Sequence, residues 1–185
     1  MDASSILTTL LSAKSVSGIS KATETSSADV TNVLAAALPA LLNGAAKQTS
    51  GSTAKGFTQA LADHAGENSS NLSAFFKNVD LDDGAKIVSH LLTATDKKNI
   101  AKASNTSASS VSAILAAAAP LFMSLLGQQT SGSSAGAIGT LLTGLASNGN
   151  LTSLLGGLLG SVSGSKPGSK PGANGLASAL MGLLK

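Results

Sequence analysis

The sequence predicts an all-α protein: two tandem multi-helix repeats of about five helices each, packed as one pseudo-symmetric helical domain and followed by a flexible C-terminal tail. Three observations lead there. The stretch Val30 to Ala46, VTNVLAAALPALLNGAA, places Val30, Val33, Leu34, Ala37, Leu38, Leu41 and Leu42 at the i, i+3, i+4, i+7 spacing that gathers them on one helix face. The pattern recurs from Val111 to Gly127, VSAILAAAAPLFMSLLG, with Val111, Ile114, Leu115, Ala118, Ala119, Phe122 and Met123 as the stripe. Sliding the chain on itself without a gap aligns Ile19 with Ile100, Lys21 with Lys102, Pro39 with Pro120 and Gln48–Ser52 with Gln129–Ser133, each pair 81 residues apart. Composition alone rarely keeps such a register, so the chain reads as a duplication, residues 1–82 and 83–163.

Each repeat divides alike. A first helix is predicted near Ser4 to Lys14, and again near Gly84 to Ala94, from Ile6, Leu7, Leu10, Leu11 and Ile87, Val88, Leu91, Leu92. A short second helix follows, Val16 to Thr23 and Lys97 to Ser104. A Ser/Thr turn then offers Ser26 or Ser107 as the cap of the long helix, with Asp29 three residues after Ser26 as an acidic variant of the capping box. Inside the long helices Pro39 and Pro120 each remove a backbone donor, so a kink or restart is expected at both. Beyond the QTSGS turns a fourth helix is predicted from about Thr53 to Ala65 and from about Ser134 to Ala146. A fifth comes from LSAFFKNV in the first repeat and LTSLLGGLLGSV in the second, where glycines thin the side chains. From Gly164 the composition turns to GSKPGSKPGANG, an extended linker, and then to GLASALMGLLK, a short amphipathic helix; residues 164–185 form the tail.

Composition bounds the chemistry. Aromatics make up 2% of the 185 residues, so the core must rest on Ala, Leu, Val and Ile, small enough for helices to approach closely. The net charge of +3 comes from 12 basic residues, all lysine, against 9 acidic ones. Without arginine the chain lacks the bidentate fork that usually reads phosphate or guanine. There is no cysteine, which excludes disulfides and thiolate metal sites. The start, MDASSILTTLLSAK, lacks a basic leader, and no run reaches the roughly 20 apolar residues of a membrane span, so a cytoplasmic protein without a transmembrane segment is expected.

The segments GISKATETSSADVTNVLAAALPALLNG and NIAKASNTSASSVSAILAAAAPLFMSLLG, each a short helix, a Ser/Thr turn and an Ala-rich helix with its proline, resemble the bacterial YidB-like group known as domain of unknown function 937. The resemblance covers most of Ser4 to Gly160. It implies a bacterial, all-helical protein with no settled activity and no catalytic residues to carry over.

Several motifs suggest chemistry and yield to plainer readings. IAKASNTSASSVSAIL has the outline of a DNA-binding helix-turn-helix, yet its second helix offers mostly Ser and Ala where polar side chains must reach base edges. The residues that could touch nucleic acid are Asn32, Lys97, Lys98 and Lys102. Gly132-Ser133-Ser134-Ala135-Gly136 fits G-x-S-x-G, but no strand precedes it and His64 and His90, the possible bases, each stand alone. Asp80, Asp82 and Asp83 lack the spacing of a calcium loop and read as acidic capping of the next helix. No catalytic, cofactor or metal residue emerges, no small-molecule substrate is evident, and the chain reads as a non-enzyme.

The function that fits is a protein-protein interaction or self-assembling scaffold module. The surfaces that would carry it are Leu154, Leu155, Leu158 and Leu159 in the fifth helix of the second repeat, and Leu176, Leu180, Leu183 and Leu184 in the tail. The alternative is a nucleic-acid-binding protein that uses the helix-turn-helix pair of each repeat.

Overall fold

Local capping sets where each helix begins. The computed structural model describes residues 3–67, 69 and 71–147, and among these the secondary structure is nine α-helices without a strand. They are α1 Ala3–Leu10, α2 Ala13–Thr23, α3 Ser27–Gln48, α4 Ala54–Ala65, α5 Leu72–Lys77, α6 Leu81–Leu91, α7 Ala94–Ser104, α8 Ala108–Thr130 and α9 Ala135–Ser147. These residues all belong to one unit, residues 1–151. The linker and tail, and with them the expected interaction leucines 154–184, lie outside the described residues.

Ser26 and Ser107 cap α3 and α8 as expected, their Oγ atoms accepting from the backbone amides of Asp29 and Ser110 at 3.0 and 3.1 Å. The Asp29 carboxylate accepts from the Ser26 hydroxyl (2.8 Å) rather than from a backbone amide, so the box is only half formed. Asp80 caps α6 by accepting from the amides of Asp82 (2.9 Å) and Asp83 (3.0 Å). Two boundaries differ from expectation for the same reason. The first helix stops at Leu10, not Lys14, because Ser12 starts a new helix by accepting from the Ser15 amide; Lys14 sits in α2. Eighty-one residues later Thr93 does the same for α7, forming a full capping box with Asp96, so α6 ends at Leu91 rather than Ala94.

The two long helices carry the core. Every residue of both predicted stripes is buried, from Val30 and Leu34 through Ala118 to Phe122 and Met123. The helices nevertheless differ. On α3 the outward Asn32, Asn43 and Lys47 are exposed, whereas α8 is covered nearly all round, Ala116, Ala117, Pro120 and Leu121 included. Packing explains the difference: α6, α4, α2, α1, α3 and α7 all lie against α8, and α6 makes the most extensive contact. The fourth helix of each repeat crosses to the other: α4 packs on α8, and α9 packs on α3.

Neither long helix restarts at its proline, since α3 and α8 each run through as a single element. Proline still leaves a mark. Lacking an N–H, Pro120 cannot satisfy the carbonyl of Ala116 four residues earlier. That carbonyl meets Gly84 of α6, where an added Cβ would overlap the Ala116 oxygen. Gly44 opposite the Leu91 carbonyl and Gly127 opposite the Leu61 carbonyl are notches of the same kind. Helix pairs meet backbone to backbone there, which is how a core almost without aromatics reaches close packing.

Among the described residues one helix passes the length and composition test for a membrane span, a test that a buried core helix passes as well. α8 is long and apolar enough by length and composition, because Pro120 does not interrupt it, and 78% of its most apolar window is buried among its neighbours.

Candidate functional site

The helix-turn-helix outline is geometrically present in both repeats. α2 and α7 each end on a left-handed residue, Glu24 (φ 53°) and Asn105 (φ 52°), and a serine-capped helix follows. In the second repeat the following helix is α8, which reaches the surface near its start through Ala108, Ser109 and Ser112, is buried from Ile114 to Ser124, and is exposed again at Gln128. Of the residues predicted to touch nucleic acid, Asn32, Lys98 and Lys102 are exposed and Lys97 is half-buried. Asn32 stands on α3 and the lysines on α7, so the structure does not gather them on one helix.

Gly132 adopts φ +78°, and the stretch Gly132–Gly136 forms the turn that opens α9, with Ser134 Oγ accepting from the Ala137 amide at 3.4 Å. Ser134 therefore serves as a helix-start residue. His64 is not alone. Its ring, 15% exposed, places Nδ1 2.7 Å from Glu67 Oε1 and Nε2 3.6 Å from Asp83 Oδ2, tying the end of α4 to the start of α6. Sequence reasoning had no signal for that pairing, which joins residues 19 apart through the fold. His90 is exposed, and its backbone carbonyl accepts from Gln48 Nε2 at 2.7 Å. Among the described residues no group of three or more His, Asp or Glu is placed to hold a metal ion.

Concave surface is found between helices. An apolar pocket of about 340 Å³ lies where α3, α4 and α6 meet, with Phe57, Ile87, Leu91 and Met123 in its wall. The longer feature is a groove of about 700 Å³ between α3 and α7. Its floor is Ala36, Pro39, Ala40, Ile100 and Ala103, and its rim carries Asn43, Lys47, Asp96 and Asn99. Of the floor, Ile100 is buried, the three α3 residues are half-buried and Ala103 is exposed. Asp96 is held in place there: the Thr93 hydroxyl (2.7 Å) and amide (2.9 Å) both donate to its Oδ2. Those two bonds, the side-chain one foremost, keep its carboxyl below the usual carboxylate range.

The corresponding groove in the first repeat, between α2 and α8, is walled over. There α5 packs on α2, Phe76 is buried against Gly18, and the turn before α5 is held by Gln128 of α8, whose Nε2 donates to the Glu67 carbonyl (3.3 Å) and to Ser69 Oγ (2.9 Å). Pro120, the counterpart of Pro39, is buried as a result. No residue motif marks which of two equivalent grooves is covered, so this site escapes sequence reasoning.

A family described as "Bacterial protein of unknown function (DUF937)" matches residues 5–129, which run from α1 to the end of α8 and include both walls of the groove. No curated protein and no solved structure matches the chain.

Proposed function

The chain belongs to that bacterial family of unknown function, and from this premise we propose that it is a non-enzymatic interaction module, a duplicated helical body that binds protein helices, copies of itself included, through apolar grooves. The observation that carries the reading is the α3/α7 groove. From Ala36 to Lys47 its α3 wall runs twelve residues, about 18 Å of helix at 1.5 Å per residue, which suits a short amphipathic helix laid along it. An apolar floor with polar groups at the rim is the chemistry such a ligand needs, since the floor supplies burial and the rim sets direction.

In the same reading the two repeats form one pseudo-symmetric core. The supporting observations are the crossing of α4 onto α8 and of α9 onto α3, and the placing of α2, α4, α7 and α9 so that each helix starts 81 residues after its counterpart. A single repeat of this size with so few large side chains would be marginal alone.

Light scattering of the full chain across a wide concentration range at physiological salt tests self-assembly. A mass well above 17.9 kDa is the expected result, and Ala40→Glu in the groove floor should lower it. A strict monomer at every concentration would remove self-assembly from the reading.

A further inference from the structure

Helix α4 carries small residues along the side that faces α6. Gly56 and Ala60 are four apart and, with Phe57, share that side of the helix. Both α4 and α6 rest on α8, whose Met123 lies beneath the space between them. At Gly84 and Gly127 a missing side chain brings two helices together, since a Cβ there would strike a carbonyl of the neighbouring helix. Gly56 is the reverse case, because a Cβ built on it meets no described atom within 4 Å. Here the small residues leave a gap instead of closing one.

That gap is the apolar pocket of about 340 Å³. Phe57, Leu91 and Met123, all buried, make its floor, and the half-buried Ala60 and Ile87 its sides. On α6 the pocket residue Ile87 lies between two fixed points. Asp83 is held by His64 of α4 (3.6 Å), and the His90 carbonyl accepts from Gln48 Nε2 of α3 (2.7 Å). The walls are thus set before a ligand arrives, which lowers the cost of binding one.

The polar residues of the wall are Gln48, Thr53 and His90, and they offer donors. The exposed His90 ring makes no hydrogen bond among the described residues, and imidazole carries an N–H in either charge state. Gln48 Nε2 has a second hydrogen beyond the one given to the His90 carbonyl. Lys55 and Lys86, both exposed, adjoin Gly56 and Ile87 in the chain, whereas Asp63 and Asp83 stand toward the opposite end, where His64 meets α6. An apolar floor with donors and positive charge at one end suits an amphiphile with an anionic head.

We infer that the pocket between α4 and α6 binds a small monocarboxylic acid, its apolar body on Phe57, Leu91 and Met123 and its carboxylate at Gln48 and His90. At ~30 Å³ for each water-sized group the volume takes roughly eleven of them, the size of a medium-chain acid such as octanoate. This site goes beyond helix docking. It has about half the volume of the α3/α7 groove, and a monomer can fill it. The two cavities share Gln48, His90 and Leu91 as a partition, so a test must tell one from the other.

Carbon-13 methyl spectra of the full chain titrated with octanoate make that distinction. The Met123 and Ile87 methyl signals should shift saturably and show nuclear Overhauser contacts to the octanoate chain. Ala60→Met, which fills the pocket, should abolish binding, and Gly56→Leu should do so from the adjacent turn. His90→Ala should weaken it several-fold. Octylammonium, the same chain with a cationic head, should bind several-fold more weakly than octanoate. Ala40→Glu in the α3/α7 groove should leave the affinity at the parent's value. The inference is overturned by the absence of a saturable shift, by binding that survives both filling variants, by an unchanged affinity in His90→Ala, or by equal binding of the two amphiphiles. Loss of binding in Ala40→Glu would move the ligand to the groove and overturn it likewise. Self-assembly and this site fail separately, since light scattering reads the first and methyl shifts the second.

Discussion

Gly84→Ala tests whether backbone-to-backbone notches hold this fold. The substitution adds one methyl group on α6. Judged by helix propensity alone it is favourable by roughly 0.5–1 kcal/mol, since glycine costs that much in a helix. Against this stands the overlap of the new Cβ with the Ala116 carbonyl oxygen. The obstructing atom is backbone and alanine has no rotamer to escape into, so α6 must withdraw from α8 along its most extensive contact. Overpacking of this kind costs about 1–3 kcal/mol. The net expectation is a loss of roughly 0.5–2 kcal/mol, which at about 2–4 °C per kcal/mol for a chain of this size lowers Tm by roughly 1–8 °C. Gly56→Ala in α4 supplies the opposite case, because no described atom lies within 4 Å of its Cβ. That variant should gain roughly 0.5–1 kcal/mol. Thermal and urea unfolding followed by circular dichroism measures both. A Gly84→Ala protein as stable as the parent would refute the notch argument, and equal shifts in the two variants would reduce both to propensity.

Other substitutions probe separate parts of the structure. Phe122→Ala empties a fully buried site at the centre of α8 and should cost about 3–5 kcal/mol in urea titration. Asp96→Ala removes one half of the capping box on α7 and should cost roughly 0.5–1 kcal/mol near neutral pH. Because the folded carboxyl sits below its unfolded range, its contribution is present above about pH 4 and fades as pH falls through the folded value. Parent and Asp96→Ala stabilities should thus converge in acid, and a constant gap down to the lowest measurable pH would contradict this. Glu24→Gly relieves a left-handed residue and should gain up to about 1 kcal/mol, while Asn105→Gly, where asparagine already tolerates that conformation, should change stability by less than about 0.5 kcal/mol.

The parts legible in the sequence were those written in local periodicity. Both stripes and the caps at Ser26, Ser107 and Asp80 follow from spacing within one helix, and the structure buries or bonds each of them. The early stops at Leu10 and Leu91 were misread because apolar residues, Leu11 and Leu92, continue past them. The Thr93–Asp96 pair was visible in the sequence and marks the restart of the helix, so capping chemistry should have outweighed hydrophobic pattern there. The complete burial of α8 was not legible. Its stripe matches that of α3, and the difference lies in how many helices reach it, which is a tertiary property. The His64 contacts and the α3/α7 groove are hidden for the same reason, since each joins residues that only the fold brings together.

Unequal halves can be traced to a few small residues. In the second repeat Gly84 lets α6 settle on the carbonyl that Pro120 leaves free. The first repeat has the same proline, Pro39, but its position equivalent to Gly84 is Ala3, and α1 packs on α8 rather than following the α6 arrangement. With α6 close on one side and the turn before α5 held by Gln128 on the other, α8 is covered nearly all round, whereas α3 keeps Ala36, Pro39 and Ala40 half-buried beside α7. A duplication with identical contacts in both halves would cover both grooves or neither. Among the described residues the α2/α8 groove is covered and the α3/α7 groove is not, so two helix pairs that begin 81 residues apart present different surfaces.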